Sequence, residues 1–277
     1  MESIRQAVER AKAVHIPPPG IPEREASDRP QMPRQTSAVR VDVIDSRHGE
    51  VVLKDSYLQS KRIISHDSGD PRSKAFDMLR TQVLRTMDLK GWQILAVTSP
   101  TPKCGKTVTA INLALSIARQ PERSVLLVDM DLQKPHVARC LGLRGEEGLL
   151  GVLEGHMALG SAIVQARVGK HRFMVLPIEH STSGSAEWMA SRAMGTTLQN
   201  IKRDYPSRIV ILDLPPMLTS DDVIAILPQV DCVLLVAAVG TSTTAEIEEC
   251  NRHLQSADVV RLVLNKVPQA STKYYYD

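Results

Sequence analysis

Residues 92–119 read WQILAVTSPTPKCGKTVTAINLALSIAR, and the fold turns on them. Residues 92–98 form an apolar run with β-branched members, short enough for a buried strand. Residues 99–104 are a polar break holding two prolines. Gly105 opens a helical pattern with Val108, Ile111, Leu115 and Ala118 on one face. At the join stand Gly105, Lys106 and Thr107. A strand, a loop, this triplet and a helix together describe a phosphate-binding loop. Its backbone amides and the helix N-terminus face an anion, Lys106 reaches toward terminal phosphates, and the Thr107 hydroxyl suits Mg²⁺. Pro100 stands where the first glycine of such loops is usual, so the triplet needs support from the rest of the chain.

That support lies downstream. Residues 124–129 (SVLLVD), 172–178 (RFMVLPI), 208–213 (RIVILD), 231–239 (DCVLLVAAV) and 259–267 (VVRLVLNKV) are near-continuous aliphatic runs. Continuous rather than alternating runs mark strands covered on both faces, hence a mainly parallel sheet. Helical patterns lie between most of them, which predicts a three-layer α/β fold. Ligands of such sheets sit at the carboxyl ends of the strands. Two of these runs end in acid: Asp129-Met130-Asp131 closes one, and Asp213, followed by Leu-Pro-Pro, closes the other. If the strands are neighbours, three carboxylates converge on Lys106 and Thr107. Asp213 then reads as a metal-side carboxylate, and Asp129 and Asp131 stand where a metal contact and a general base are needed, in either order. Phosphoryl transfer asks for little more than a phosphate clamp, a metal and a group to take the acceptor's proton. An acid at a strand end commonly only caps the next helix; three beside this triplet argue for chemistry.

The chain has 277 residues, 43% of them hydrophobic, so one large core is within reach; with two Phe and two Trp that core must be aliphatic. A net charge of +3 is too small to argue for a nucleic-acid partner, and none is expected. The four cysteines, Cys104, Cys140, Cys232 and Cys250, lack metal-ligand spacing and suggest a reducing compartment. Cys104, at a helix start beside two lysines, is expected to be the most reactive of them. No leader is visible, and no apolar run approaches the roughly 20 residues of a membrane span. A cytoplasmic protein, held at a membrane only through a partner, is expected.

Residues 1–14 suit a short amphipathic helix, with Ser3 and Gln6 placed for a capping box. Residues 15–38 are proline-rich and charged, a composition that opposes folding. Residues 39–44 alternate weakly like a strand, and 51–64 are ambiguous. Helical period returns over 73–87, where Phe76, Leu79, Val83 and Met87 share a face. The expected organisation is an N-terminal extension at 1–70, a phosphate-loop domain at 71–268 and a tail at 269–277.

At SPTPKCGKTVTAINLALSIA, VLLVDMDLQKPHVA and IVILDLPPML the chain resembles the bacterial tyrosine autokinases of polysaccharide export loci, P-loop ATPases related to the cell-division and plasmid-partition ATPases. The opening MESIRQAVERAK and PRSKAFDMLRTQVLRTM resemble more specifically the autokinases of exosortase-associated exopolysaccharide loci. The resemblance implies ATP and Mg²⁺ as cofactors. Nucleotide would be held by Pro102, Lys103, Cys104, Gly105, Lys106, Thr107 and Val108. Asn265 and Lys266 lie near where the family holds the adenine. Thr107, Asp129 and Asp213 fall on the metal, and Lys106, Asp129, Asp131 and Asp213 on the catalytic group. It also implies a membrane-bound chain-length-determinant or co-polymerase protein as activator. Three of the five tyrosines, Tyr274, Tyr275 and Tyr276, lie in the last four residues. By the resemblance they are phosphate acceptors, modified between protomers of a homo-oligomer.

Two departures stand out. Lys103 replaces a glycine of the family's loop; it is strained if the position needs a positive φ, and free to offer a second cation if it needs only close approach. The family's Glu-x2-Arg-x2-Arg assembly motif reads Lys74, Asp77 and Arg80 here. A nucleotide-switched positioning ATPase and a weakly active scaffold are the alternatives. The first usually carries a lysine where Thr101 stands; Lys103 speaks for the second.

Overall fold

The computed structural model describes residues 50–143 and 148–268. The expected helix at 1–14, the linker at 15–38, the weak strand at 39–44 and Tyr274, Tyr275 and Tyr276 lie outside the described residues. In chain order the elements are β1 (Val51–Val52), α1 (Asp55–Ser60), α2 (Ser73–Lys90), β2 (Ile94–Thr98), α3 (Lys106–Ala118), β3 (Ser124–Asp129) and α4 (Val137–Leu141). There follow α5 (Gly148–Leu153), α6 (Leu159–Ala162), β4 (Val164–Val168), β5 (His171–Leu176), α7 (Ser185–Met189), α8 (Arg192–Asp204) and β6 (Arg208–Asp213). The series ends with α9 (Asp222–Ile226), β7 (Cys232–Ala238), α10 (Thr244–His253) and β8 (Val259–Asn265).

The strands form one sheet in the order β1-β4-β5-β3-β6-β2-β7-β8. From β5 to β8 every neighbouring pair is parallel. The expected three-layer, mainly parallel fold is therefore the observed one. Alternate residues of β2 explain its unbroken apolar run. Leu95 and Val97 pack with Val83 and Met87 of α2 and with Ile111 and Leu115 of α3. Ile94 and Ala96 face the opposite layer, with Met194, Leu198 and Ile201 of α8. Each face needs oil, so neither can carry the polar alternation of a half-wetted sheet. Gly91, at φ 68, ends α2 in the left-handed turn that lets the chain enter β2.

Two features differ from expectation. Residues 164–168, VQARV, form β4, which runs antiparallel to β5. At this sheet end only alternate positions are buried, which leaves no continuous apolar run to read. The packed unit also begins before residue 71. Val51 and Val52 pair with Ala166 and Arg167, and Leu53, Leu58 and Ile63 enter the core beside α3. Asn112 of α3 ties this segment down: its Oδ1 accepts from the backbone N–H of Ile64 and Ser65 at 2.8 and 3.0 Å, and its Nδ2 donates to the Arg62 carbonyl. A boundary drawn from composition missed it because the anchoring group lies some fifty residues downstream.

Candidate active site

Strand order puts β2 beside β6 and β6 beside β3, so the phosphate loop and both acidic strand ends meet at one edge of the sheet. Val97 is level with Asp213, and Asp213 is level with Asp129. Lys106 Nζ donates to Asp131 Oδ2 at 2.9 Å and stands 3.6 Å from Asp213 Oδ1. The Thr107 hydroxyl donates to Asp213 Oδ2 at 2.6 Å. Asp129 and Asp213 are fully buried, and Asp131 is 5% exposed. Lys106, Thr107, Asp129, Asp131 and Asp213 thus form one cluster.

The turn after β3 shapes the acidic pair. Asp129 Oδ2 accepts from the backbone N–H of His136 and Val137, at the start of α4, and its Oδ1 accepts from Asp131 N–H at 3.2 Å. Asp131 Oδ1 accepts from Lys134 N–H. Asp129 therefore does cap the following helix, and it lines the cluster at the same time.

Burial, reinforced by the Asp213 charge, pushes the Asp129 carboxyl up to about 8. Burial likewise raises Asp213, with Lys106 and the Thr107 hydroxyl pulling against it. For Lys106, burial opposes the charge, but Asp213 and Asp131 outweigh it and hold the ammonium above its ordinary value. Three carboxylates thus share one cation. Asp213 Oδ1 is buried without a hydrogen-bond partner. With Lys106 Nζ 3.6 Å away, the Thr107 hydroxyl on its other oxygen and Asp129 level with it on β3, it belongs to a set of oxygen donors of the kind a hard divalent cation takes, so Thr107, Asp213 and Asp129 fit Mg²⁺.

The loop itself is closed from the far side. Gly105 has φ 94, and a Cβ there would stand 2.3 Å from Asn265 Nδ2. Asn265 Nδ2 donates to the Cys104 carbonyl at 2.9 Å. Lys103 has φ 67, so the position does require the left-handed region and the strained branch of the expectation holds, at roughly 1–2 kcal/mol. Its side chain is exposed, as is that of Lys266, whose φ is 56. Pro102 is exposed on the loop, and Val108 follows Thr107 on α3. The expectation for Cys104 is corrected. It is 1% exposed, with Sγ 3.3 Å from Ser242 Oγ, so reagents in solvent are screened from it. Ser242 was missed by the reading of the sequence. Its partner lies 138 residues away, and no local pattern marks it.

Asp77 and Arg80, of the altered assembly motif, point inward. Asp77 Oδ1 accepts from Ser116 Oγ at 2.6 Å, Arg119 at 3.0 Å and Arg80 at 3.1 Å, which ties α2 to α3. Lys74 stays exposed.

The AAA domain profile matches residues 93–257, which contain all five clustered side chains. The chain belongs to this family of P-loop ATPases. Within it, the chain falls in the branch of the bacterial tyrosine kinases. It is 31% identical over 210 residues to the tyrosine-protein kinase etk of Escherichia coli K12, a match covering 75% of this chain and 28% of etk. To the tyrosine-protein kinase wzc of Salmonella typhimurium LT2 it is 26% identical over 227 residues, covering 80% of this chain and 31% of wzc. The chain thus spans under a third of the length of these relatives. The solved kinase domain of the Escherichia coli tyrosine kinase ETK superposes with a TM-score of 0.65 at 30% identity, covering 74% of this chain and 80% of that one. Among the described residues no helix is long and apolar enough to cross a membrane.

Proposed function

We propose that the chain is an ATP-dependent protein-tyrosine kinase that acts on its own tail. The observation that carries this reading is the meeting of Lys106, Thr107, Asp129, Asp131 and Asp213 at the ends of three adjacent strands. The similarity to named tyrosine kinases supports it.

The phosphate loop and Lys106 hold the nucleotide's phosphates. Those phosphates compete with Asp131 for the Lys106 ammonium, which frees Asp131, the least buried of the three acids. Thr107, Asp213 and Asp129 would hold Mg²⁺, which when bound neutralises charge on the β- and γ-phosphate oxygens. Asp131 accepts the proton of the tyrosine hydroxyl as the phenolic oxygen bonds to the γ-phosphorus. The bond from that phosphorus to the bridging oxygen of ADP breaks, leaving ADP and phosphotyrosine. The buried walls keep water from competing for the phosphoryl group.

The acceptors are Tyr274, Tyr275 and Tyr276, offered by a neighbouring copy. Nine residues follow Pro268, a reach of about 30 Å when extended, and folding back into the chain's own site uses part of it. Each phosphate adds roughly −1.5 to −2 charges, so a modified tail is repelled by the acidic cluster and leaves. In the cell the kinase serves exopolysaccharide synthesis or export at the inner face of the membrane, activated by a membrane-bound co-polymerase partner.

The test mixes Lys106→Ala protein bearing an intact tail with active protein lacking residues 274–277, in Mg-ATP. Phosphotyrosine on the Lys106→Ala chain is expected. If wild-type protein becomes modified at a rate independent of concentration while that chain stays bare, transfer is in cis. If wild-type protein gains no phosphotyrosine yet binds ADP, the weakly active scaffold favoured by the strained Lys103 is the better reading.

A further inference from the structure

The turn that carries Asp131 is anchored from outside itself. Met130 N–H donates to the Asp213 carbonyl at 2.9 Å, and the Leu132 carbonyl accepts from Thr182 N–H at 2.9 Å. A side chain adds a further anchor. Gln133 Nε2 donates to Ser185 Oγ at 2.9 Å and reaches Ser220 Oγ at 3.3 Å and Asp222 Oδ2 at 3.5 Å. Ser185 opens α7 and Asp222 opens α9, so one amide ties the turn to two helices.

Asp222 is the centre of this knot. It is fully buried, and its Oδ1 accepts from Ser185 Oγ at 2.8 Å. A carboxylate withdrawn from water is costly unless donors take up its oxygens. Here a hydroxyl takes one oxygen and the Gln133 amide faces the other. Ser185 gives its proton to Asp222, which leaves its lone pairs to Gln133. The stretch leading into α9 also meets the phosphate loop: Met217 N–H donates to the Ser99 carbonyl at 2.8 Å, and Leu218 N–H to the Pro100 carbonyl at 3.1 Å.

The knot bears on how Asp131 is aimed. Lys106 Nζ holds Asp131 Oδ2, and Lys134 N–H holds Oδ1 at 3.0 Å. When nucleotide phosphates draw the ammonium away, the Lys134 N–H is what still holds the carboxylate. That N–H belongs to the planar peptide joining Gln133 to Lys134, so fixing Gln133 also fixes the direction of the donor.

We propose that Asp222 is a positioning residue for Asp131: through Ser185 and Gln133 it holds the turn that aims the Asp131 carboxylate at the acceptor hydroxyl once Lys106 has gone to the phosphates. This rests on reading Asp131 as the group that takes the tyrosine proton.

The experiment follows transfer from Mg-ATP to the tail of affinity-tagged Lys106→Ala protein, catalysed by the full chain as wild type, Asp222→Asn, Gln133→Glu and the double exchange. Asp222→Asn sets two amide donors against each other, and Gln133→Glu sets two carboxylates face to face. The double exchange again puts a donor opposite an acceptor. Each single variant should lose about tenfold in kcat, the worth of one hydrogen bond to a charged group. KM for ATP and calorimetric ADP affinity should stay at their wild-type values, and the double exchange should regain most of the rate. Ser185→Ala removes only the bridging hydroxyl, and it should show the same loss in kcat if the other single variants do not fold. Wild-type kcat in every folded single variant would overturn the proposal. So would kcat, KM and ADP affinity worsening together with no recovery in the double exchange, which would make the knot general packing. A wild-type rate in Asp131→Asn would instead remove the reading of Asp131 beneath the proposal, and the proposal with it.

Discussion

The two ends of α3 carry two networks of charge that are built oppositely. At its N-terminus Lys106 faces Asp131 and Asp213, with Asp129 behind them. At its C-terminus Asp77 faces Arg80 and Arg119, with Ser116 adding a third donor. The first has three acids to one cation and leaves Asp213 Oδ1 without a hydrogen bond, 3.6 Å from Lys106 Nζ. The second has one acid to two cations: Asp77 Oδ1 accepts from three donors, while Arg80 Nε is buried without a hydrogen-bond partner. An excess of buried negative charge with an orphaned oxygen is poor scaffolding and good preparation for a cation and phosphates. A network in which cations outnumber a fully bonded acid is scaffolding. The sign of the excess charge, more than the presence of charge, separates the candidate site from the strut.

That contrast can be broken most sharply at Lys106. Replacing it with alanine removes the cation that pairs with Asp131 and Asp213 and the clamp on the phosphates. Autophosphorylation in Mg-ATP should fall at least about a hundredfold, read by phosphotyrosine blot, while the circular dichroism spectrum is kept. Retained activity would make the N-terminal cluster a strut as well.

The converse substitution is Asp77→Ala. It strips three donors of their shared acceptor and should cost about 1–3 kcal/mol in urea unfolding, with ADP affinity unchanged. A loss of ADP binding at unchanged stability would merge the two networks into one site.

The imbalance also sets a pH dependence. The Asp129 carboxyl titrates near 8 in the folded chain, against an ordinary value of about 3.9 in the unfolded one. Between those values the unfolded chain has lost a proton that the folded chain keeps. The contribution is therefore whole below about pH 4 and declines as pH rises through about 8. Unfolding midpoints measured from pH 5 to 9 should fall more steeply for wild type than for Asp129→Asn. Parallel curves would show that the cluster does not strain the fold.

The smallest effect is expected at Lys103. Glycine tolerates φ 67 where lysine does not, so Lys103→Gly should gain up to about 1 kcal/mol of stability, less what glycine's freer unfolded chain gives back. A loss of ADP affinity in that variant would show that the exposed ammonium contributes to phosphate binding after all.

Much of this molecule is legible in its sequence because the signals are local. Aliphatic runs buried on both faces announce β2, β3, β6 and β7, and GKT after such a run announces the phosphate loop, with Gly105 at φ 94 in the turn. The acids at the strand ends could be named, since parallel sheets bind at that edge. β4 escaped notice because its pattern is half-buried and five residues long, and β1 because it has two residues and pairs only with the distant β4.

What the sequence determined by itself was the kind of element at each place and the residue types offered at one edge of a sheet. Only the tertiary structure decided which of them meet. The order β3-β6-β2 brings Asp129 level with Asp213 and Asp213 within reach of Thr107. Packing turned Asp77 inward, screened Cys104 beneath Ser242 and set Asn265 against Gly105. Backbone propensity and apolar periodicity act over a few residues and can be read along the chain. Pairing across 106 residues, as between Thr107 and Asp213, or across 161, as between Cys104 and Asn265, is fixed only once strand order and register place the partners in space.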